Sequence, residues 1–98
     1  MRALVLAALI AAPALAGPPL VYRQGDNSLT LHDSPCVHGG TLALLAPEWR
    51  PKFKKAHTVL KGKTIYACWI EEAGLAFVMY EDGDQIVYRL DLFRDEGA

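Results

Sequence analysis

Apolar and polar residues follow the pattern of short strands along most of the chain beyond position 19. Glycine, aspartate and asparagine interrupt the first pair of strand candidates at 25–27, and a Lys-Gly-Lys turn at 61–63 interrupts the second pair. Because these connections are short, we expect antiparallel hairpins. The strand candidates before residue 71 are 20–24, 28–32, 57–60 and 64–70.

The last hairpin has the clearest pattern, with strand candidates at 75–81 and 84–90 around an Asp-Gly pair. This pair favours a two-residue type I′ turn, in which both central residues have positive φ. Such a turn would place Tyr80 opposite Gln85, with one face of the hairpin in the core and the other less buried. The predicted core face is Leu75, Phe77, Met79, Ile86, Tyr88 and Leu90, and the less buried face is Ala76, Val78, Tyr80, Gln85, Val87 and Arg89.

Two segments in the middle of the chain favour helix. Residues 41–46 follow two glycines and are long enough for one or two helical turns, and Pro47 suits the first turn of a second segment that Pro51 limits. In a helix, Trp49 and Phe53 would share a face, which we expect to point to the core. The predicted fold class is therefore α+β, a small antiparallel meander of about five strands with one short helical segment.

The first 16 residues have the features of a secretory signal peptide. Arg2 precedes an unbroken apolar run, and the small-x-small sequence at 14–16 is typical of a cleavage site. The run is shorter than the roughly 20 apolar residues of a transmembrane helix. We expect cleavage after residue 16, one small domain over 17–98, and a periplasmic or secreted location without a membrane span.

The predicted mature segment contains two cysteines, Cys36 and Cys68. Domains of this size have thin cores and often need a covalent or metal staple, and an oxidising compartment lets cysteines pair. We therefore predict that a disulfide within the chain staples the domain. Closing a loop of about 32 residues would stabilise the fold by roughly 3 to 4 kcal/mol.

The stretch HDSPCVHGG concentrates ligand-type side chains around the first cysteine. Zinc could recruit His32, Cys36 and His38, with Asp33 or Cys68, but the paired ligand spacing of structural zinc sites is missing. A catalytic Cys-His pair would need a thiolate that stays reduced. We predict no cofactor and no metal, and a small envelope-directed enzyme or metal-binding protein using His32, Asp33 and His38 remains the alternative function.

Charge divides the chain into a basic middle and an acidic end, although the net charge is only −1. A near-neutral total predicts no bulk affinity for nucleic acid. The basic middle suits charges that pair across the fold, or a patch for the phosphates of envelope lipids or for an acidic protein. Interface hot spots favour aromatic and arginine side chains. The candidate partner-binding residues are Arg50, Lys54, Lys55, Tyr80 and Arg89.

Four short stretches carry a resemblance, namely PC at 35–36, FKKA at 53–56, YACW at 66–69 and YEDGDQ at 80–85. They resemble small exported two-cysteine proteins of proteobacteria and of their phages or prophages, over most of the mature segment. The resemblance implies a periplasmic protein, phage- or prophage-encoded, that acts on the envelope, on lysis or on later infecting phage. No activity is established for that group, so the resemblance carries over no functional residues. We predict a non-enzymatic interaction module that binds an envelope component or a periplasmic protein.

Overall fold

Antiparallel strands dominate the computed structural model, which describes residues 17–95. The described part contains one four-residue helix, α1 (Gly39–Leu42), and two 3-10 turns at Arg50–Lys52 and Leu90–Leu92. The predicted α+β class is therefore wrong, and the fold is mostly β. The predicted signal peptide lies outside the described residues. The strands are β1 (Leu20–Gln24), β2 (Asn27–Pro35), β3 (Lys54–Leu60), β4 (Lys63–Glu72), β5 (Leu75–Tyr80), β6 (Gln85–Arg89) and β7 (Arg94–Asp95).

Strands β1 to β6 form a meander, with tight turns at every connection except the long one between β2 and β3. Lys61 and Gly62, between β3 and β4, have φ values of 52° and 79°. Ala73 and Gly74, between β4 and β5, have φ values of 55° and 80°. Positive φ at both central residues is the signature of a type I′ turn, whose twist matches that of the flanking strands. Each strand from β1 to β5 pairs with the next one in the chain, including β2 with β3 across their long connection.

The sheet curls, because its two edges are joined by a short connection. The strand order is β6-β5-β4-β3-β2-β1-β7, so the chain passes from one edge strand directly to the other. In a flat sheet these edges would be about 29 Å apart, at a strand spacing of about 4.8 Å. The steps from Arg89 to Arg94 can span at most about 18 Å. The sheet therefore forms a curled half-barrel with an inner and an outer face.

The main core fills the inner face of the half-barrel. Phe93, in the connection between the edges, packs against Tyr22 of β1 and Tyr88 of β6, with ring centroids 5.6 and 6.2 Å apart. Phe93 thus links the first strand to the sixth across the interior. The buried residues of this core are Leu29, Leu31, Ala56, Ala67, Trp69, Ala76, Val78, Tyr80 and Phe93.

A second, smaller core lies on the outer face. The predicted disulfide between Cys36 and Cys68 is confirmed, with their Cα atoms 5.5 Å apart. Because Cys36 follows β2 and Cys68 lies in β4, the bond holds the long β2–β3 connection against the sheet. Leu45 packs on the two sulfurs, with Phe53 and Met79 around it. We call residues 36–53 the tethered segment.

The helical segments predicted for this region shrink to single turns. The helix expected over 41–46 is the four-residue α1, and the segment after Pro47 contains only the 3-10 turn. Trp49 is 48% exposed, so the expectation that it shares a core-facing helical surface with Phe53 is wrong. Pro47 and Pro51 lie four positions apart and limit regular helix, because proline removes an N–H donor and restricts the preceding residue.

The last hairpin has a longer loop than predicted, and this inverts its faces. The Tyr80 N–H donates to the Asp84 carbonyl over 2.8 Å, and only Gly83 in the loop 81–83 has a positive φ, of 95°. Three-residue loops of this kind end in a glycine that forms a bulge. Val78 consequently pairs with Ile86. Since one residue of slip exchanges the two faces of β5 relative to β6, the predicted core face is wrong for β5, whose buried residues are Ala76, Val78 and Tyr80, whereas Tyr88 and Leu90 pack against the main core as predicted.

Candidate functional site

An apolar groove of about 560 Å³ lies on the outer face, between the tethered segment and strands β4 to β6. Its floor is a row of cross-strand neighbours, in which Ile70 pairs with Phe77 and Phe77 pairs with Val87. Trp49 forms part of the opposite wall. Val87 is 51% exposed, which leaves the centre of the row open. We call this the apolar groove, and its main apolar lining is Leu44, Trp49, Phe53, Ile70, Phe77, Met79 and Val87.

The wall of the apolar groove is held in place by polar contacts within the tethered segment. The Arg50 Nε donates to the carbonyls of Leu42 and Leu45 over 2.9 and 3.0 Å. Leu42 ends α1 and its carbonyl also accepts the Leu45 N–H over 3.0 Å, whereas Leu45 lies just beyond the helix, and the guanidinium supplies a donor to both carbonyls. Lys52 lies over the Trp49 ring at 5.2 Å. Arg50, a predicted partner-binding residue, therefore supports the wall through its hydrogen bonds.

Strand β6 borders the apolar groove and ends the sheet on this side. The bonds from Tyr80 N–H to Asp84 and from Leu90 N–H to Gly74 bracket its pairing with β5. Because antiparallel pairing alternates, the backbone groups of Gln85, Val87 and Arg89 point away from β5. Within residues 17–95, no strand pairs with this edge. The apolar groove therefore has hydrogen-bonding backbone groups along one side.

A second groove, of about 330 Å³, contains all three histidines of the chain. The predicted residues His32 and His38 both line it, together with Tyr66. Sequence reasoning missed His57, whose only signal is its place on the outward face of β3. The predicted partner residue Lys55 also lines this groove. We call this the histidine groove.

Two of these histidines form a direct pair. The Nε2 atom of His32 lies 3.0 Å from Nδ1 of His57, and the rings stack at a centroid distance of 5.1 Å. Burial lowers the pKa of His32, and the neighbouring His57 and Lys55 lower it further. The pKa of His57 is also lowered, first by burial and then by Lys55. The pair therefore favours its neutral form near physiological pH.

The third histidine belongs to the start of α1. His38 Nδ1 accepts a hydrogen bond from the Thr41 backbone N–H over 3.2 Å, as an N-cap side chain does. Its ring stacks on Tyr66 at 5.3 Å, and its Nε2 lies 3.5 Å from a carboxylate oxygen of Glu81. These contacts fix the ring between the tethered segment and the sheet.

Asp33 is separated from the histidine groove, although the sequence places it beside His32. Its carboxylate forms an ion pair with Lys54 and accepts a hydrogen bond from the Gly17 N–H over 2.9 Å. The Lys54 hydrogen bond, followed by the Gly17 bond, lowers the pKa of Asp33. Because successive strand residues face opposite sides, His32, Asp33 and His38 do not come together as the alternative function requires.

The predicted partner-binding residues are spread over several surfaces. Tyr80 is buried, its hydroxyl lies 2.7 Å from that of Tyr88, and burial together with this bond raises its pKa. Arg89 is exposed and pairs with Asp91 over 2.6 Å. Lys54 lies 5.6 Å from the Trp69 ring centroid, next to its ion pair. Binding by these residues stays a prediction, but they do not form one continuous patch.

Neither a cluster of metal ligands nor a membrane-spanning helix occurs within residues 17–95. Residues 17–95 contain no group of three or more His, Cys, Asp or Glu side chains placed to hold a metal ion. They also contain no helix of the length and apolarity that a membrane span requires. The arrangement is that of a disulfide-stapled β half-barrel with two grooves on its outer face. Comparisons with protein-family models, curated proteins and solved structures find no match for this chain.

Proposed function

We propose that this protein is a non-enzymatic interaction module that holds an extended apolar segment of another protein in the apolar groove. The observation that carries the proposal is the combination of an open apolar row, through Phe77 and Val87, with the free backbone edge of β6. Extended segments bind in this way by adding a strand to a sheet edge, while alternate side chains enter pockets.

The shape and chemistry of the apolar groove favour a polypeptide over a compact polar ligand. Its lining is mostly aliphatic and aromatic, and the polar side chains at its rim are Glu72 and Gln85. An added strand would place every second side chain on the outer face, with one of them beside Val87, because strand side chains alternate. Trp49, half exposed on the opposite wall, supplies the rigid aromatic surface that is common at interface hot spots.

The leader-like first 16 residues and the disulfide support a site of action outside the cytoplasm. We accordingly infer a partner among envelope components or periplasmic proteins. The resemblance to exported phage and prophage proteins supports an origin of the same kind. Intact mass of the exported protein tests the leader, because cleavage after residue 16 leaves a chain that begins at Gly17.

Selection from a library of displayed ten-residue peptides tests the groove without requiring the natural partner. We expect enrichment of sequences with apolar residues at alternate positions. Bound peptide should shift the amide resonances of Gln85, Val87 and Arg89 and slow their hydrogen exchange, because a new strand would cover these groups. Enrichment without alternation, or shifts confined to another surface, would contradict the proposal.

Matched variants distinguish peptide binding in the apolar groove from non-specific binding to exposed apolar side chains. Trp49→Ala and Val87→Lys should each abolish peptide binding, since edge lysines oppose strand addition. Leu60→Lys is the control, because Leu60 is a similarly exposed apolar residue outside the apolar groove, and it should leave binding unchanged. Light scattering over a range of protein concentrations distinguishes a second copy of this chain as the occupant, and laurate titration distinguishes an acyl chain.

A further inference from the structure

The histidine groove is independent of the proposed interaction surface. The two grooves share no lining residue, because one lies over β4 to β6 and the other over β2 to β4. The histidine groove gathers His32, His57, Lys55 and Tyr66, of which only Lys55 belongs to the predicted partner-binding set. The proposed interaction surface does not account for this concentration of nitrogen-bearing side chains.

The paired imidazoles can take up one proton easily but not two. Their 3.0 Å contact between Nε2 of His32 and Nδ1 of His57 requires one donor and one acceptor. A single added proton makes the pair a cation while keeping this bond, which becomes charge-assisted. The two remaining nitrogens, His32 Nδ1 and His57 Nε2, then both carry hydrogens. A second proton would place two donors against each other.

Lys55 is the positive charge that acts on the His32–His57 pair. The nearby carboxylates are engaged in contacts with other side chains. Lys55 lowers the pKa of both imidazoles, after the larger effect of burial. Glu81 lies against His38 on the far side of the Tyr66 ring stack, and Asp33 is held by Lys54. Tyr66 contributes a neutral hydroxyl to the lining. The groove thus has a lysine and a protonatable pair without a carboxylate of its own.

We propose that the histidine groove binds a divalent oxyanion of the phosphate or sulfate class, and that the His32–His57 pair takes up one proton when the anion binds. The charge of −2 on such an anion matches one ammonium group, on Lys55, and one shared imidazolium. A carboxylate carries a single negative charge and would leave one of these cations unpaired. The volume of about 330 Å³ accommodates the oxyanion together with a small organic group that carries it.

The direction of the pH dependence follows from the state of the free pair. Without an anion, burial and Lys55 keep the pair neutral at pH values where an exposed histidine would begin to protonate. An anion in contact favours the protonated form, so binding and protonation are coupled. Affinity for the anion should therefore rise as pH falls, by about tenfold per pH unit while one proton is taken up.

Sulfate is the sharpest probe, because it remains a dianion across the range in which histidine titrates. Isothermal titration calorimetry of the mature protein from about pH 7.5 to about pH 5.5, at constant ionic strength, measures the affinity. Repeating the titration in buffers of different ionisation enthalpy counts the protons. We expect uptake of about one proton per sulfate bound. Binding that does not change with pH would overturn the proposal.

Variants assign the anion to these side chains. Lys55→Gln and His57→Asn should each weaken sulfate binding about tenfold or more, because each removes a charge-assisted contact. Lys63→Gln is the matched control, since Lys63 is an exposed lysine of the same sheet outside the histidine groove, and it should change affinity less than about twofold. An equal loss in Lys55→Gln and Lys63→Gln would overturn the site. Because Lys55 is exposed, its variant remains informative if His57→Asn fails to fold.

Two further binding measurements identify the source of the oxyanion. A soluble phosphate monoester such as glycerol phosphate represents a small-molecule ligand, and vesicles containing phosphatidic acid represent a lipid headgroup. Either one, bound in a Lys55-dependent manner, supports the site and assigns its source. Failure of sulfate, monoester and vesicles together would refute it. Trp49→Ala should bind sulfate normally, so this result is separable from failure of the proposed function.

Discussion

The inner and outer faces of the half-barrel use similar side chains but differ in how they are covered. On the inner face, the curled sheet surrounds its own side chains, and Leu31 and Val78 are 1% and 2% exposed. On the outer face, the tethered segment is the one part of residues 17–95 that covers the sheet, and Trp49 and Val87 remain half exposed. The comparison indicates that the inner face provides most of the buried core, whereas the outer face carries the two open grooves.

Curvature explains the difference between the two faces. Side chains on the concave side converge and fill a common interior, whereas those on the convex side diverge and need a separate cover. Here that cover is a connection with little regular structure, which a disulfide holds in place. The two grooves lie open between the margins of this connection and the sheet. The predictions that follow test this division of roles.

The largest expected difference is between leucines on the two faces. Leu31→Ala should lower the free energy of unfolding by about 2 to 5 kcal/mol, because it leaves a cavity in the filled interior. Leu44→Ala, on the exposed wall of the apolar groove, should change it by less than about 0.5 kcal/mol. Urea unfolding followed by tryptophan fluorescence measures both. Similar losses for the two variants would remove the distinction between the faces.

Removal of the disulfide tests how strongly the outer cover depends on its staple. Cys68→Ser should cost roughly 2 to 5 kcal/mol, as loss of a native bridge does in small secreted domains. Intact mass before and after reduction reports the bond itself in the exported protein. If the variant unfolds at the same urea concentration as the parent, the tethered segment contributes nothing to stability, and its role is confined to the groove.

Two arginines on the outer side distinguish a supporting hydrogen bond from an exposed ion pair. Arg50→Ala should cost about 1 kcal/mol, because the Leu45 carbonyl loses its side-chain donor and the Leu42 carbonyl keeps only the Leu45 N–H. Arg89→Ala should leave the melting temperature nearly unchanged, since Arg89 and Asp91 are 70% and 65% exposed and solvent screens their ion pair. Thermal unfolding of the two variants ranks them. The reverse order would mean that the tethered segment holds its shape without Arg50.

The smallest expected effect on stability is the pH dependence of the His32–His57 pair. Both groups have a folded-state pKa below the ordinary histidine value of about 6.5, so the unfolded chain binds protons first as pH falls. Stability is therefore full above about pH 6.5, decreases below it, and levels off once the folded-state pKa is passed. His57→Asn should flatten this decrease in urea midpoints measured across the range. An unchanged slope would show that the pair does not titrate differently on folding.

Much of the outer-face site could not be predicted from sequence, for identifiable reasons. His32 and His38 attract attention because they flank Cys36, but His57 enters the groove only through the pairing of β2 with β3. Asp33 belongs to the same short motif, yet strand alternation turns it towards Lys54. The row through Ile70, Phe77 and Val87 joins three strands, so no local pattern marks it.

In the last hairpin, a one-residue error in the predicted loop length reverses the predicted burial of β5. The Asp-Gly pair favoured a two-residue turn, whereas the structure extends the loop to residues 81–83. Both turns suit the sequence locally, and packing of Ala76, Val78 and Tyr80 against the inner core decides between them. Tyr80 thereby moves from a predicted contact residue to a buried one, and Val87 becomes the centre of the apolar row.

By itself, the sequence determined the elements that depend on local physics. Strand periodicity, turn residues and the two cysteines of a short chain suffice to predict hairpins and the bond between Cys36 and Cys68, which the structure confirms. Tertiary structure alone decided the curl of the sheet, which face is buried, and which side chains meet on the outer side. These properties depend on Phe93 packing between Tyr22 and Tyr88, and on cross-strand register, both of which join residues far apart in the chain.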